Sequence, residues 1–307
     1  MNELLKVDHL TVDFSTDQGT VHAVRDVSFC VYPQEVLGIV GESGSGKSQT
    51  MYSVMGLLAD NGKITAEDIL FDGKKIHESA FKNHLEYEKT MQHIRGNDMA
   101  MIFQDPMTFL NPVLKIGTQL IEPLQNHTKM SKKECEQKAI ELMRQVGIPS
   151  PEKRMNQYPY EFSGGMRQRI IIAMALACNP KLIIADEPTT ALDVTIQAQV
   201  LELIQDMKEK LGSSVIMITH DLGVVASLCN RIAIMYGGKI VEIGTDKEIF
   251  YEPKHPYTQG LLNCINNPED DDKDLQPIPG SPPDLLNPPK GCPFVDRCEK
   301  AMKICKQ

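Results

Sequence analysis

Residues 41–48 read Gly41-Glu42-Ser43-Gly44-Ser45-Gly46-Lys47-Ser48, a Gly-x4-Gly-Lys-Ser spacing that follows an apolar run and should open a helix. Glycines let a backbone wrap a phosphate with its N–H groups aimed inward, and the helix start adds roughly half a positive charge. Lys47 is placed to reach β- and γ-phosphates, and the Ser48 hydroxyl to ligate Mg²⁺. Farther along, Asp186-Glu187 ends the run Leu-Ile-Ile-Ala. An Asp ending a buried strand holds Mg²⁺, directly or through water, and the next carboxylate can polarise an attacking water. His220 follows a third apolar run and Gln104 a fourth. His220 suits a γ-phosphate contact and Gln104 a contact with Mg²⁺ or water. A solvated acidic turn at 186–187 and a structural histidine are the plainer alternatives.

Ser163-Gly164-Gly165-Met166-Arg167-Gln168-Arg169 begins 23 residues before Asp186. Ser163 is a good N-cap, and the two glycines permit close backbone approach. Residues 170–176 are apolar all round, so the helix is expected to be buried, stopping at Asn179-Pro180. Arg167 and Arg169 sit where the helix dipole disfavours cations by about 0.3–1 kcal/mol each. Either the helix start faces an anion, or the arginine stems pack on the core and their heads pair with an acid such as Glu161. This helix start follows a helical insertion, away from the chain's own phosphate loop. A nucleotide held by a second chain would resolve that.

These residues must be positioned by strands and helices. Residues 4–14 and 21–31 alternate apolar and polar, which predicts an antiparallel sheet at the N-terminus. Residues 36–40, 182–185 and 215–219 are near-continuous apolar runs, suited to strands buried on both faces. Each is followed at once by the polar groups above, and ligands of open α/β sheets bind at the carboxyl ends of strands. Residues 105–168 are helix-rich with proline breaks, and 231–244 predict a hairpin turning at Gly237-Gly238. Composition shifts near 266. Eight prolines lie between Pro268 and Pro293, beside the acidic run Glu269-Asp270-Asp271-Asp272, which reads as a linker into a small tail.

Bulk properties narrow the class. The 307 residues carry 32 Lys plus Arg against 41 Asp plus Glu, a net charge of -9, which disfavours nucleic-acid binding through charge. No run approaches the roughly 18 apolar residues of a membrane span, and no signal peptide is evident. An intracellular protein is expected, associated with membrane only through a partner. Of eight cysteines, Cys30, Cys135, Cys178, Cys229 and Cys264 are scattered and read as small apolar fillers. Cys292, Cys298 and Cys305 cluster in the tail.

Together the motifs resemble the ATP-binding subunits of ABC transporters. Residues 41–48 are similar to the Walker A motif, 163–169 to the family signature (with Met166 where Gln is commoner), and 182–187 to Walker B. Ala191-Leu192-Asp193 resembles the D-loop, His220 the switch histidine and Gln104 the Q-loop. Phe14 sits where the family places an aromatic against adenine, though a strand aromatic could equally be core. Residues 103–112, 255–262 and 279–286 narrow the resemblance to oligopeptide/dipeptide permease ATPases.

The resemblance implies an α/β fold: an ABC-type P-loop ATPase with a mixed central sheet, an N-terminal antiparallel β subdomain, a helical subdomain at about 105–168 and a small Pro/Cys-rich extension. Domain limits of 1–265 and 266–307 follow. The resemblance implies ATP and Mg²⁺, with Glu187, His220 and Gln104 catalytic and Ser48, Gln104 and Asp186 at the metal. Phe14, Gly41, Ser43, Gly44, Ser45, Gly46, Lys47, Ser48, Gln49, Ser163, Gly164, Gly165 and Asp193 would contact nucleotide. It implies a second homologous ATPase chain, usually a different one, and two membrane-spanning permease subunits. An extracellular binding protein would feed them, and this chain would lie at the cytoplasmic face. It also implies a [4Fe–4S] cluster on Cys292, Cys298 and Cys305, with a fourth ligand, Cys264 or another, unidentified. Zinc or plain thiols are the alternatives. Nickel or glutathione as cargo, a soluble ABC ATPase, and an iron–sulfur sensor are the competing functions.

Overall fold

The computed structural model describes residues 2–190, 193–264 and 278–307. The chain divides into two compact units, Met1–Lys82 with Met217–Gln307, and Asn83–Ile216. The acidic run at 269–272 and residues 191–192 of the D-loop lie outside the described residues.

In the first unit, β1 (Leu5–Thr16) and β2 (Gly19–Val31) pair antiparallel. β1 buries Leu5 and Val7, then Leu10 and Val12, so its inward face changes phase midway. The register shifts between Val7 and Leu10, where His9 takes φ 50°. One extra residue in one strand produces such a slip. β3 (Val36–Val40) is buried along its whole length and leads into α1 (Lys47–Met55). β4 (Gly62–Thr65) pairs with β1, and β5 (Asp68–Phe71) and β6 (Lys74–Lys75) extend the sheet in the order β2-β1-β5-β6.

The second unit opens with α2 (His84–Ile94), capped by Asn83, whose side chain accepts from Glu86 N–H at 2.9 Å. β7 (Met99–Ile102) follows. The helical stretch contains α3 (Pro106–Phe109), α4 (Ile116–His127), α5 (Lys132–Gln145) and α6 (Pro151–Arg154). Pro123 sits inside α4 rather than ending it, at the loss of one i→i−4 hydrogen bond. A full capping box of Ser131 and Glu134 starts α5. α7 (Gly164–Leu176) ends with the apolar run, shortly before the expected stop at Asn179-Pro180. It precedes β8 (Leu182–Asp186), which pairs parallel with β7, Met99 facing Leu182 and Ile102 facing Ala185. α8 (Val194–Leu211) follows, and β9 (Ser214–Thr219) carries the chain back to the first unit.

There, α9 (Leu222–Leu228) lies over β3. A Cβ at Gly38 would stand 2.9 Å from Val225 and 3.0 Å from Cys229, so glycine is what lets helix and strand approach. β10 (Arg231–Tyr236) runs parallel to β3 and antiparallel to β11 (Lys239–Thr245), turning at Gly237-Gly238 as expected. This makes a mixed sheet. α10 (Asp246–Tyr251), α11 (Pro256–Asn263) and two short 3₁₀ turns in the tail complete the unit. Among the described residues, no helix is long and apolar enough to cross a membrane.

Candidate nucleotide site

In the first unit, five buried residues of β3 deliver the chain to residues 41–46, and α1 begins at Lys47. Gly46 takes φ 100°, and a Cβ there would strike the Ala23 carbonyl; one at Gly41 would strike the Met235 carbonyl. Two of the expected glycines are therefore sterically required. Lys47 is 5% exposed, and its Nζ donates to the carbonyls of Gly41 at 2.8 Å and Glu42 at 3.0 Å. The lysine thus lies back across its own loop. Ser43 and Gly44 face solvent. The Ser45 hydroxyl is buried without a hydrogen-bond partner. An unsatisfied hydroxyl, a buried ammonium and a helix start on one tight loop fit a polyphosphate. Ser48 and Gln49 are half-buried in the first turn of α1.

Phe14 is half-buried on β1, opposite Val21 and Gly62. A Cβ at Gly62 would stand 2.9 Å from the Phe14 ring, so Gly62 makes room for it. His220 is exposed just after β9. The following Asp221 caps α9 through Gly223 N–H at 2.8 Å.

In the second unit, β8 ends in Asp186, 1% exposed, and Glu187 then adopts φ 44°. A non-glycine residue in that region carries strain of order 1 kcal/mol. The turn sends the Glu187 carboxylate to Gln104, whose Nε2 donates to Oε2 at 3.0 Å. The Thr190 hydroxyl donates to the same oxygen at 2.9 Å. Gln104 and Glu187, 83 residues apart, are brought together, and Thr190 joins them. Thr190, three residues after Glu187, was not singled out from the sequence, because only the left-handed turn at Glu187 brings its hydroxyl to the carboxylate. The Ser48 hydroxyl of the first unit and the Asp186 carboxylate of the second are each hard oxygen donors of the kind Mg²⁺ takes.

The Ser163 side chain caps α7, accepting from Met166 N–H at 3.4 Å. The two glycines after it differ. A Cβ at Gly164 would meet nothing within 4 Å, whereas one at Gly165 would stand 2.9 Å from Ile196 of α8. Gly165 serves internal packing; Gly164 is the open position. The Arg169 guanidinium is spent on the Val146 carbonyl and on Gln199, both at 2.8 Å. Glu161 is not its acid; that carboxylate accepts from Tyr158 N–H and Gln157. The Arg167 Nε is buried without a hydrogen-bond partner. Asp193 is the N-cap of α8, accepting from Ile196 N–H at 3.0 Å.

The expected iron–sulfur site is not assembled. Among the described residues, no group of three or more His, Cys, Asp or Glu is placed to hold a metal, which counts equally against zinc at Cys292, Cys298 and Cys305. Cys292 N–H donates to the Cys305 carbonyl at 2.9 Å, which ties two segments of the tail together, and the Cys305 sulfur accepts from Met302 N–H at 3.5 Å within the last turn. The Cys292 sulfur lies 3.7 Å from His255 Nε2. Burial pushes the Cys292 thiol up, and the neighbouring Cys305 and Cys298 add to the rise. Cys264, the suggested fourth ligand, is exposed after α11. Of the scattered cysteines, Cys135 and Cys229 are buried fillers, and burial pushes Cys229 up to about 12.

Residues 24–190 match the ABC transporter family, and residues 241–305 match the C-terminal region of oligopeptide/dipeptide transporters. The chain belongs to the ABC transporter ATP-binding proteins of that branch. It is 54% identical to the dipeptide transport ATP-binding protein DppD of Bacillus subtilis, over 99% of this chain and 89% of that one. Identity to the oligopeptide transport ATP-binding protein OppD of the same organism is also 54%, over 99% and 84%. OppD of Salmonella typhimurium is 50% identical, over 99% and 88%. Among solved structures, a dimeric ATP-binding cassette in a post-hydrolysis state bound to ADP and Pi superimposes with a TM-score of 0.67 at 27% identity. It covers 78% of this chain and 98% of its own. The cbiO1 protein of Clostridium perfringens, part of the transporter complex cbiONQ, gives the same TM-score and identity over 82% and 92%.

Proposed function

We propose that this chain is the ATP-hydrolysing subunit of a peptide importer, working at the cytoplasmic face of a membrane beneath two membrane-spanning permease subunits. A second, homologous ATPase chain pairs with it head to tail, and an extracellular binding protein supplies the peptide. The observation that carries this reading is the family tail at 241–305 on the same chain as a phosphate loop with its lysine buried in place. Equal identity to a dipeptide and an oligopeptide relative leaves the peptide length open.

The work divides among named residues. Lys47 and the N–H groups of the loop hold the β- and γ-phosphates, with Ser43, Gly44, Ser45 and Gln49 at the rim. Phe14 stacks on the adenine. Ser48, Gln104 and Asp186 would hold Mg²⁺, which would neutralise charge on the phosphate oxygens. Glu187 orients the water that adds to the γ-phosphorus as the bond to the bridging oxygen breaks. Gln104 and Thr190 hold that carboxylate in place meanwhile, and His220 contacts the γ-phosphate. Ser163, Gly164, Gly165 and Asp193 serve the nucleotide of the paired chain. Loss of the γ-phosphate removes contacts that favour the closed pair, so nucleotide state biases open against closed.

The test is uptake by the complex reconstituted with its permease and binding-protein partners, using labelled dipeptides and oligopeptides, nickel and glutathione in parallel. ATP-dependent accumulation of peptide is expected. Accumulation of nickel or glutathione alone would overturn the cargo.

A further inference from the structure

The phosphate loop carries an acid, Glu42, beside the site where polyphosphate negative charge must sit. Three contacts fix that residue. Its carboxylate takes Arg297 Nη1 at 3.0 and 3.2 Å, its N–H donates to the Tyr257 hydroxyl at 3.0 Å, and its carbonyl takes Lys47 Nζ at 3.0 Å. Two of the three partners come from residues 241–305. The Arg297 side chain is 7% exposed and the Glu42 side chain 28%, so the pair is shielded from solvent far more than a surface salt bridge.

Arg297 is itself tightly held. Its Nε donates to the Pro279 carbonyl at 2.8 Å, Nη2 to the Ile278 carbonyl at 3.1 Å, and Nη1 to the Tyr236 hydroxyl at 3.0 Å. Phe294, 3% exposed, packs edge-on against Tyr236 at 5.3 Å and against Tyr257 at 5.4 Å. One aromatic cluster therefore seats both groups that grip Glu42. A second route leads to the same loop. Gly238 N–H donates to the Ser45 carbonyl at 3.1 Å, and the neighbouring Gly237 abuts Pro283 and Pro293 of the tail.

We propose that Arg297 and Tyr257 are positioning residues for the phosphate loop: by neutralising and anchoring Glu42 they keep the loop in its phosphate-binding form, so that the tail sets ATP affinity. This rests on reading residues 41–48 as the nucleotide loop. Without Arg297, an uncompensated carboxylate would stand beside the phosphates, and the loop would lose its link to the tail.

The experiment measures the Kd for Mg-ATP on the full chain by titration, and KM and kcat in the assembled complex. Arg297→Ala should raise Kd and KM by roughly 3- to 30-fold while kcat changes by less than about twofold. Arg297→Lys should recover part of the affinity. Glu42→Gln with Arg297→Ala should bind no worse than Glu42→Gln alone, because the charge to be neutralised is gone. Tyr257→Phe deletes one hydroxyl and keeps the ring packing, so it carries the test if Arg297→Ala fails to fold; it should raise Kd by about two- to fivefold. Unchanged Kd in Tyr257→Phe and Arg297→Ala, a fall in Tm alone, or additive losses in the double variant would overturn the proposal. Lys47→Ala runs in parallel: if it too binds ATP normally, the loop reading itself fails, a different outcome.

Discussion

The phosphate loop and the Gln104–Glu187 pair are built in opposite ways. The loop is held from every side: a buried lysine, two glycines with no room for a Cβ, and backbone links to Tyr257 and Gly238. Gln104 and Glu187 meet instead at the ends of their strands, Gln104 exposed and Glu187 half-buried on a strained backbone. The contrast is between a rigid holder and a pair whose contacts can change as nucleotide is consumed. Binding should depend on the first region and turnover on the second.

The sharpest way to break that contrast is Glu187→Gln. Turnover should fall by about 100-fold or more while Mg-ATP binding stays intact, since a water-orienting carboxylate contributes on that scale. Phosphate release in a single turnover, set beside a binding titration, measures both; weakened binding with normal turnover would reverse the assignment. Lys47→Ala should do the opposite, raising Kd by at least roughly tenfold, as loss of a charged hydrogen-bond donor does. Gln104→Ala should sharpen the picture further. One exposed hydrogen bond to the Glu187 carboxylate is lost while that from Thr190 stays, so steady-state turnover should drop by about two- to tenfold with binding unchanged. The smallest effect is expected at Asp193. Asp193→Ala removes the cap of α8 and should cost about 1 kcal/mol, read from the urea midpoint of the isolated chain. A larger loss of turnover in the paired complex than in the isolated chain would show a part in catalysis beyond capping.

Much of this was legible along the chain because its causes are local. A Gly-x4-Gly-Lys-Ser run between an apolar strand and a helix carries its own conformational demands, and β3 and α1 follow from them, as the hairpin of β10 and β11 follows from its own Gly237-Gly238 pair. The buried strands were visible as apolar runs. The bulge near His9 was less so, because two alternating segments out of phase still read as one strand. The Ser163 cap was readable, but the fates of Gly165 and Arg169 were not: Ile196, Val146 and Gln199 take them up from α8 and from the end of α5. The tail cysteines mark the limit of spacing, which does not say whether thiols are placed to hold a metal; among the described residues no such group is found. Here the Cys292 N–H and the Cys305 carbonyl tie two segments of the tail together.

The sequence by itself determined the family, the phosphate loop and the carboxylate pair, since residue type and near-neighbour spacing suffice for a backbone cradle and for an acid at a strand end. Only the tertiary structure decided which distant groups complete them. Thr190 and Gln104 share one Glu187 oxygen because a left-handed turn aims it at them. Arg297 reaches Glu42 across 255 residues because an aromatic cluster folds the tail onto the loop. Such contacts depend on packing between segments that no local pattern relates.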